Sequence, residues 1–287
     1  MTEFCHIAPI EFLDLVENHK THLTLAHLIE TSEQYTSFYR KLKSHNKDAT
    51  IIMDNSAFEM YKQGKPMLTP TKVLEMAEVV KADYVVMSDY PGEHSSKTIE
   101  AAIDLAPLIK KQGYGTFFCP QSKVGDKEDL ISAFEWASTS KHVHYIGVSI
   151  LAVPNAYNVE KNNKLQRFVA RYMFMQELKQ RGILDRIKDN DKKVHFLGMV
   201  DGPNEIKLMA PFKRYIDTWD SSAGIWLGLN GGKFDGSPTG IYDGKFEKEV
   251  DFDLKQSDVF LDNYRLAKYN IDYIDTLVQR YLNYVEY

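Results

Sequence analysis

Short apolar runs rich in Val, Ile, Phe and Tyr recur along this chain, and each is followed by a longer stretch whose apolar residues fall at helical spacing. That alternation restricts the fold more than any other feature, because it is the pattern of βα units around a parallel sheet. Seven runs read as strands: residues 22–28 (HLTLAHL), 50–53 (TIIM), 83–88 (DYVVMS), 115–119 (GTFFC), 145–150 (YIGVSI), 194–199 (VHFLGM) and 215–219 (YIDTW). An eighth lies at residues 4–8 or near Gly240-Ile241-Tyr242. Seven or eight units in 287 residues give about 40 residues each, which suits one α/β domain over 1–287, a (β/α)8 TIM-type barrel. The rival is an open doubly wound sheet. That fold announces a nucleotide with a glycine-rich turn after its first strand, and none follows residues 22–28.

Start and stop signals punctuate the helical stretches. Thr69-Pro70 sets a capping hydroxyl before a helix-compatible proline, and Val73, Leu74, Ala77 and Val80 form a stripe down to Lys81. Ser95 or Ser96 opens the next helix, with Ile99, Ala102, Ile103 and Ala106 inward before Pro107 disturbs the last turns. A longer helix runs from about Asn163 to Arg181, where Leu165, Phe168, Val169, Tyr172 and Met175 share a face and Gly182 ends it. The tail, about residues 258–287, is helical in pattern and is expected to pack across the barrel exterior. The glycine-rich segment 228–236 lacks the Gly-Lys-Ser/Thr ending of a phosphate loop and reads as a turn or hairpin.

Composition narrows the function classes. Lys and Arg total 35 against 40 Asp and Glu, a formal net charge of -5, so bulk positive charge does not hold nucleic acid here; local basic patches would have to. Cys5 and Cys119 are too few for a four-cysteine zinc site or a disulfide framework and fit a reducing compartment. No apolar run reaches about 18 residues and the N-terminus lacks a signal pattern, so a soluble cytoplasmic protein with no membrane partner is expected.

In a barrel of this kind the C-terminal ends of the strands build the site. The residues just past the runs are polar and acidic: Asp54 to Glu59, Asp89 to Glu93, Pro120-Gln121-Ser122, Val200 to Glu205 and Asp220-Ser221-Ser222. Asp54, Asp89 and Asp220 therefore converge on one mouth with Gln121 beside them. Any one aspartate past a strand has the alternative role of helix N-cap. A hard cation held by the three carboxylates is another alternative. No histidine joins the set at a strand end, which disfavours a transition-metal site there. His142 and His144 alternate onto one strand face but precede residues 145–150, at the stability end of the barrel, and His22 and His27 face opposite sides of a strand.

Taken in order, these motifs resemble the tRNA-guanine transglycosylase superfamily, and more closely its shorter DNA-acting branch, the 7-deazaguanine transglycosylases of phages and bacteria. The resemblance spans roughly residues 20 to 275. It rests on DNSAFE at 54–59, SDYP at 88–91, FFCPQS at 117–122, YIGVSI at 145–150, HFLGMVDGP at 195–203, IDTWDSS at 216–222, and LNGGKF with GIYDGKF at 229–234 and 240–246. It implies Asp220 as the nucleophile on the sugar's anomeric carbon and Asp54 as the general acid/base. It further implies that Asp89 and Gln121 read the guanine edge with help from the backbone near Gly147 and Val148, and that Phe58 and Leu197 sandwich the ring. The chemistry fits those residue types: a carboxylate can hold the sugar covalently while one base leaves and another enters, and a second carboxyl group can move the proton. No cofactor and no metal are implied.

Departures from the tRNA enzymes point to the polymer. Their structural zinc is held by three cysteines and a histidine after the last strand, whereas residues 251–275 contain neither residue type, so the barrel lacks that zinc-binding subdomain. Their nucleophile precedes Pro-Thr-Arg, whereas Asp220 precedes Ser221-Ser222-Ala223. The second glycine of the family's Gly-Gly is Val148 here. The expected partners are therefore DNA and a free 7-deazaguanine base such as preQ0, in the host cytoplasm if phage-encoded, with tRNA as the alternative polymer. Lys161, Lys164, Arg167 and Arg171, with Lys207, Lys213 and Arg214, offer either a phosphate track or solvated helix faces. Readings from other classes are a non-catalytic nucleic-acid-binding barrel subunit and a metal-dependent barrel hydrolase.

Overall fold

All eight strands are parallel: β1 Glu3–His6, β2 Thr21–Leu25, β3 Thr50–Asp54, β4 Tyr84–Val86, β5 Gly115–Phe118, β6 Tyr145–Ser149, β7 Lys193–Leu197 and β8 Thr218–Ser221. The computed structural model describes residues 1–160, 163–199, 202–241 and 249–284. The sheet order β1-β8-β7-β6-β5-β4-β3-β2, with helices between successive strands, makes a (β/α)8 barrel. β1 and β2 are the two ends of that order. Side chains bridge their seam, where the Glu3 carboxylate accepts hydrogen bonds from the Thr21 hydroxyl and, at 2.9 Å, from the Lys20 ammonium. The eighth strand is thus the N-terminal run. Among the described residues, which exclude Tyr242, the rival segment near Ile241 makes only an isolated antiparallel bridge to Phe234 at the end of the glycine-rich stretch.

Parallel register carries one inward face around the barrel. Cys5 pairs with Asp220, Leu25 with Asp54, and Ser149 with Leu197. Leu25, Asp54, Val86, Ser149, Leu197 and Asp220 form the uppermost inward layer, and all border one cavity. Below them Phe117 stacks on Tyr145 at 5.5 Å and meets the edge of His195 at 5.3 Å, filling the interior. Gly147 is needed in that layer, since a Cβ there would lie 2.8 Å from Leu197 and 2.9 Å from Phe117.

Several helix signals act as expected. Thr69 caps Pro70–Val80 through its hydroxyl, and the Asn163 side chain likewise caps Lys164–Gln180. Four expectations need correction. Pro107 lies inside the continuous helix Ser95–Lys111; it is exposed and so is Ile103, so the carbonyl it leaves without an intrahelical donor faces water. Leu165 is also exposed, not part of the buried face. The last strand begins at Thr218 and not at residue 215, because Ala210–Tyr215 is a 3-10 turn and Asp217 is used to accept the Val194 N–H at 2.7 Å. That shift puts Asp220 inside β8.

The tail forms Leu261–Leu277 and continues as a π-helical turn Val278–Asn283. It packs against Ala223–Leu229, the helix after β8, and the two backbones approach so closely at Gly228 that a Cβ would sit 2.3 Å from the Ala267 backbone. Buried Asn270 ties this contact together, donating to the Gly224 and Gly232 carbonyls and accepting from the Phe234 N–H. No described helix is long and apolar enough to cross a membrane.

Candidate active site

A cavity of about 750 Å³ opens at the C-terminal ends of the strands, and Asp54, Phe58, Asp89, Gln121, Leu197 and Asp220 all line it. Six of the predicted site residues are thereby brought together. Gly147 and Val148 do not line it: Gly147 sits a layer below, making room for Leu197, and Val148 is fully buried. Ser149, Ile150 and Leu151 provide the β6 edge of the cavity instead.

Asp220 is held on one oxygen. Its Oδ1 accepts from the Gly198 N–H at 3.1 Å and lies 2.9 Å from His195 Nε2, while Oδ2 receives no hydrogen bond among the described residues. The Gly198 donor is fixed by its own surroundings. Its φ of 70° and its approach to Ile150, where a Cβ would meet Cγ2 at 2.9 Å, both require glycine. Its carbonyl accepts from Trp219 Nε1 at 2.8 Å and from Arg171 Nη1 at 2.9 Å.

Arg171 is therefore an internal strut. It is fully buried, its Nη2 donates to the Val148 carbonyl at 3.1 Å, its Nε lies 3.4 Å from the buried Glu205 carboxylate, and its guanidinium covers the rings of Phe196 and Trp219. This removes it from any surface phosphate track: an arginine enclosed by two aromatic faces and two carbonyls has no face left for a phosphate. Arg167, one helical turn earlier, borders the cavity. Lys161 and the Lys164 side chain lie outside the described residues. Lys213 and Arg214 are exposed, but their head groups already meet the Tyr284 carbonyl and Asp185.

On the opposite wall, Asp89 accepts from Asn55 Nδ2 at 2.7 Å on Oδ1 and from Gln121 Nε2 at 2.6 Å on Oδ2. Burial raises its carboxyl to about 6 against those two lowering hydrogen bonds. Gln121 Nε2 donates to Asp89 and toward Cys119 Sγ, and its Oε1 is buried with no partner among the described residues. The amide oxygen is thus an unfilled acceptor in a residue that lines the cavity. Cys119 is buried beside the pair, its sulfur 3.5 Å from Gln121 Nε2.

The turn after β3 sets the third group. Ser56 adopts a left-handed conformation (φ 58°), Asp54 Oδ2 accepts its N–H at 2.9 Å, and Asn55 Oδ1 accepts the Ala57 N–H at 2.9 Å. Asp54 thus closes a local turn with the Ser56 N–H and borders the cavity as well. Burial, with the charges of Glu59, Asp89 and Asp220 nearby, holds it well above the ordinary carboxylate range. Glu59, which also borders the cavity, is raised to about 7 by burial and by Asp220, and its Oε2 is buried with no partner among the described residues. Three carboxyl groups with raised proton affinity thus surround the space in front of Asp220.

His195, Asn55 and Glu59 are functional candidates that residue-by-residue reading did not single out. His195 carried a signal: it alternates with Leu197 along β7, so both face inward, and the parallel neighbour of Leu197 is a strand end. Among the described residues, Asp54, Asp89 and Asp220 do not bring three ligand atoms within reach of one ion. No protein-family model matches the chain, and no curated protein matches it.

Proposed function

We propose that this barrel is a base-exchange transglycosylase that replaces guanine in DNA with a 7-deazaguanine such as preQ0 through a covalent Asp220–sugar intermediate. The observation that carries the reading is the opposition, across one cavity, of a carboxylate fixed on a single oxygen and an amide–carboxylate pair, Asp89–Gln121, with an unfilled acceptor.

In this reading the guanine ring lies between Phe58 and Leu197. Its N1–H and N2–H groups meet the remaining lone pairs of Asp89 and the Gln121 Oε1. Asp220 Oδ2 attacks C1′ of the nucleotide as the C1′–N9 bond breaks, and the electron pair goes to the departing guanine. A proton from Asp54 or Glu59 neutralises that base. The incoming 7-deazaguanine then gives up its proton to the same carboxylate and attacks C1′, releasing Asp220. A duplex base would have to be flipped out to enter the cavity, and Arg167 stands at its border to meet a phosphate.

DNA is favoured over tRNA by the absence of cysteine and histidine from residues 251–275 and by Ser221-Ser222 after the nucleophile. Nucleoside mass spectrometry of DNA and tRNA from cells expressing the protein, supplied with 7-deazaguanine precursors, tests the choice. Modified deoxynucleosides support it; modification of tRNA alone transfers the chemistry to the other polymer.

A further inference from the structure

The β1–β2 seam carries a second group of side chains, on the side away from the cavity. His6 at the end of β1, His19 in the turn before β2 and Asp275 on the C-terminal helix each offer a ligand atom, and these atoms lie within 4.8 Å of one another. Cys5 faces inward with Asp220, so alternation turns His6 outward, and none of the three residues lines the cavity. His6 Nε2 is 2.9 Å from Asp275 Oδ1, and His19 Nε2 is 3.4 Å from Asp275 Oδ2.

The second nitrogen of His19 decides what this arrangement is for. His19 Nδ1 lies 3.3 Å from the Val16 carbonyl, which can only accept, so Nδ1 carries the proton and the neutral ring turns a bare Nε2 lone pair toward a carboxylate oxygen. Two acceptors facing each other need a proton or a cation between them. A tetrahedral ion with bonds of about 2.0–2.1 Å holds its ligand atoms about 3.3 Å apart, so the two histidine–carboxylate separations, which run to different Asp275 oxygens, and the 4.8 Å outer span close on an ion after small side-chain rotations. A backbone carbonyl on the other ring nitrogen is also the usual way a metal-bound histidine is oriented.

We propose that His6, His19 and Asp275 form a site for a zinc-class divalent cation, with a fourth position open to water. His19 and Asp275 keep 21% and 42% of their side-chain surface exposed, which gives the ion an entry path. Two imidazoles and one carboxylate select zinc-like ions over magnesium or calcium. The ion would tie the end of β1, the turn before β2 and the C-terminal helix together at the junction where the sheet order has no ladder. It takes no part in base exchange.

The full chain, stripped with a chelator and titrated with Zn2+ or Co2+, tests this. One equivalent of Zn2+ should bind and raise Tm by about 5 °C at saturation, and Co2+ should show the visible bands of a tetrahedral site. The partly exposed His19 gives a variant that should fold, and His19→Ala should abolish both effects while His142→Ala keeps them. Absence of both effects in the wild type, or their persistence in His19→Ala, would overturn the site and leave a hydrogen-bonded His–Asp–His cluster sharing a proton.

Discussion

His195 Nε2 lies 2.9 Å from Asp220 Oδ1 while the Nδ1 of the same ring lies 2.7 Å from the Thr218 hydroxyl, so one buried imidazole links two inward residues of β8. With the hydroxyl donating to Nδ1, the Nε2–H donates to the carboxylate and fixes which oxygen remains for chemistry. On the proposed reaction, His195→Ala should lower kcat for base exchange by about 10–100-fold with KM for the free base little changed, because the lost contact would aim the nucleophile without touching the base. A loss of the same size divided between kcat and KM would argue against a positioning role.

If Asp89 reads the base as proposed, binding of the base depends on pH. Its carboxyl is raised from the ordinary 3.8 to about 6, so the acceptor form is lost as pH falls through about 6 and affinity for 7-deazaguanine bases should drop about tenfold per pH unit below that. Stability runs the other way. A raised carboxyl means that folding favours the protonated form, so this group's stabilising share is present at low pH and is lost as pH rises through about 6, by at most about 3 kcal/mol. Urea unfolding of wild type and Asp89→Asn from pH 4 to 7 should show the wild type losing ground to the variant as pH climbs.

In the proposed reaction Asp54 and Glu59 are the two candidates for proton transfer, and a pH–rate profile separates them. Glu59 is raised to about 7, so if it moves the proton, Glu59→Gln removes the limb of kcat near pH 7. If Asp54 does so, Glu59→Gln retains that limb with an altered midpoint, and Asp54→Asn lowers kcat by about 100-fold or more.

Much of the fold was legible because parallel strands buried on both faces leave apolar runs that stand out between amphipathic helices. The cavity set was legible for a related reason: residues at or just past the C-terminal end of a barrel strand lie at its mouth, which placed Asp54, Asp89 and Gln121. His195 escaped because it lies mid-strand, where a histidine reads as core, and its partner Asp220 belongs to a strand that begins three residues later than the apolar run at Tyr215. Arg171 does not fit a surface track because helical spacing gives a face and not its neighbours. Only the tertiary structure brings the Gly198 and Val148 carbonyls, Glu205 and two aromatic rings around it.

Gly228 tests the packing of the C-terminal helix. A side chain there would overlap the Ala267 backbone at 2.3 Å, and backbone cannot swing aside, so Gly228→Ala should destabilise the protein by about 1–3 kcal/mol in chemical denaturation. Gly236, with nothing within 4 Å of an added Cβ, is the matched control and should change little.

The central claim is that Asp220 carries a sugar while bases exchange. Purified protein incubated with guanine-containing DNA and radiolabelled preQ0 should transfer label into the DNA and, when denatured mid-reaction, yield a covalent protein–DNA adduct; Asp220→Ala should do neither. Label transfer by Asp220→Ala at the wild-type rate, or no label and no adduct with the wild type on either DNA or tRNA, would contradict it.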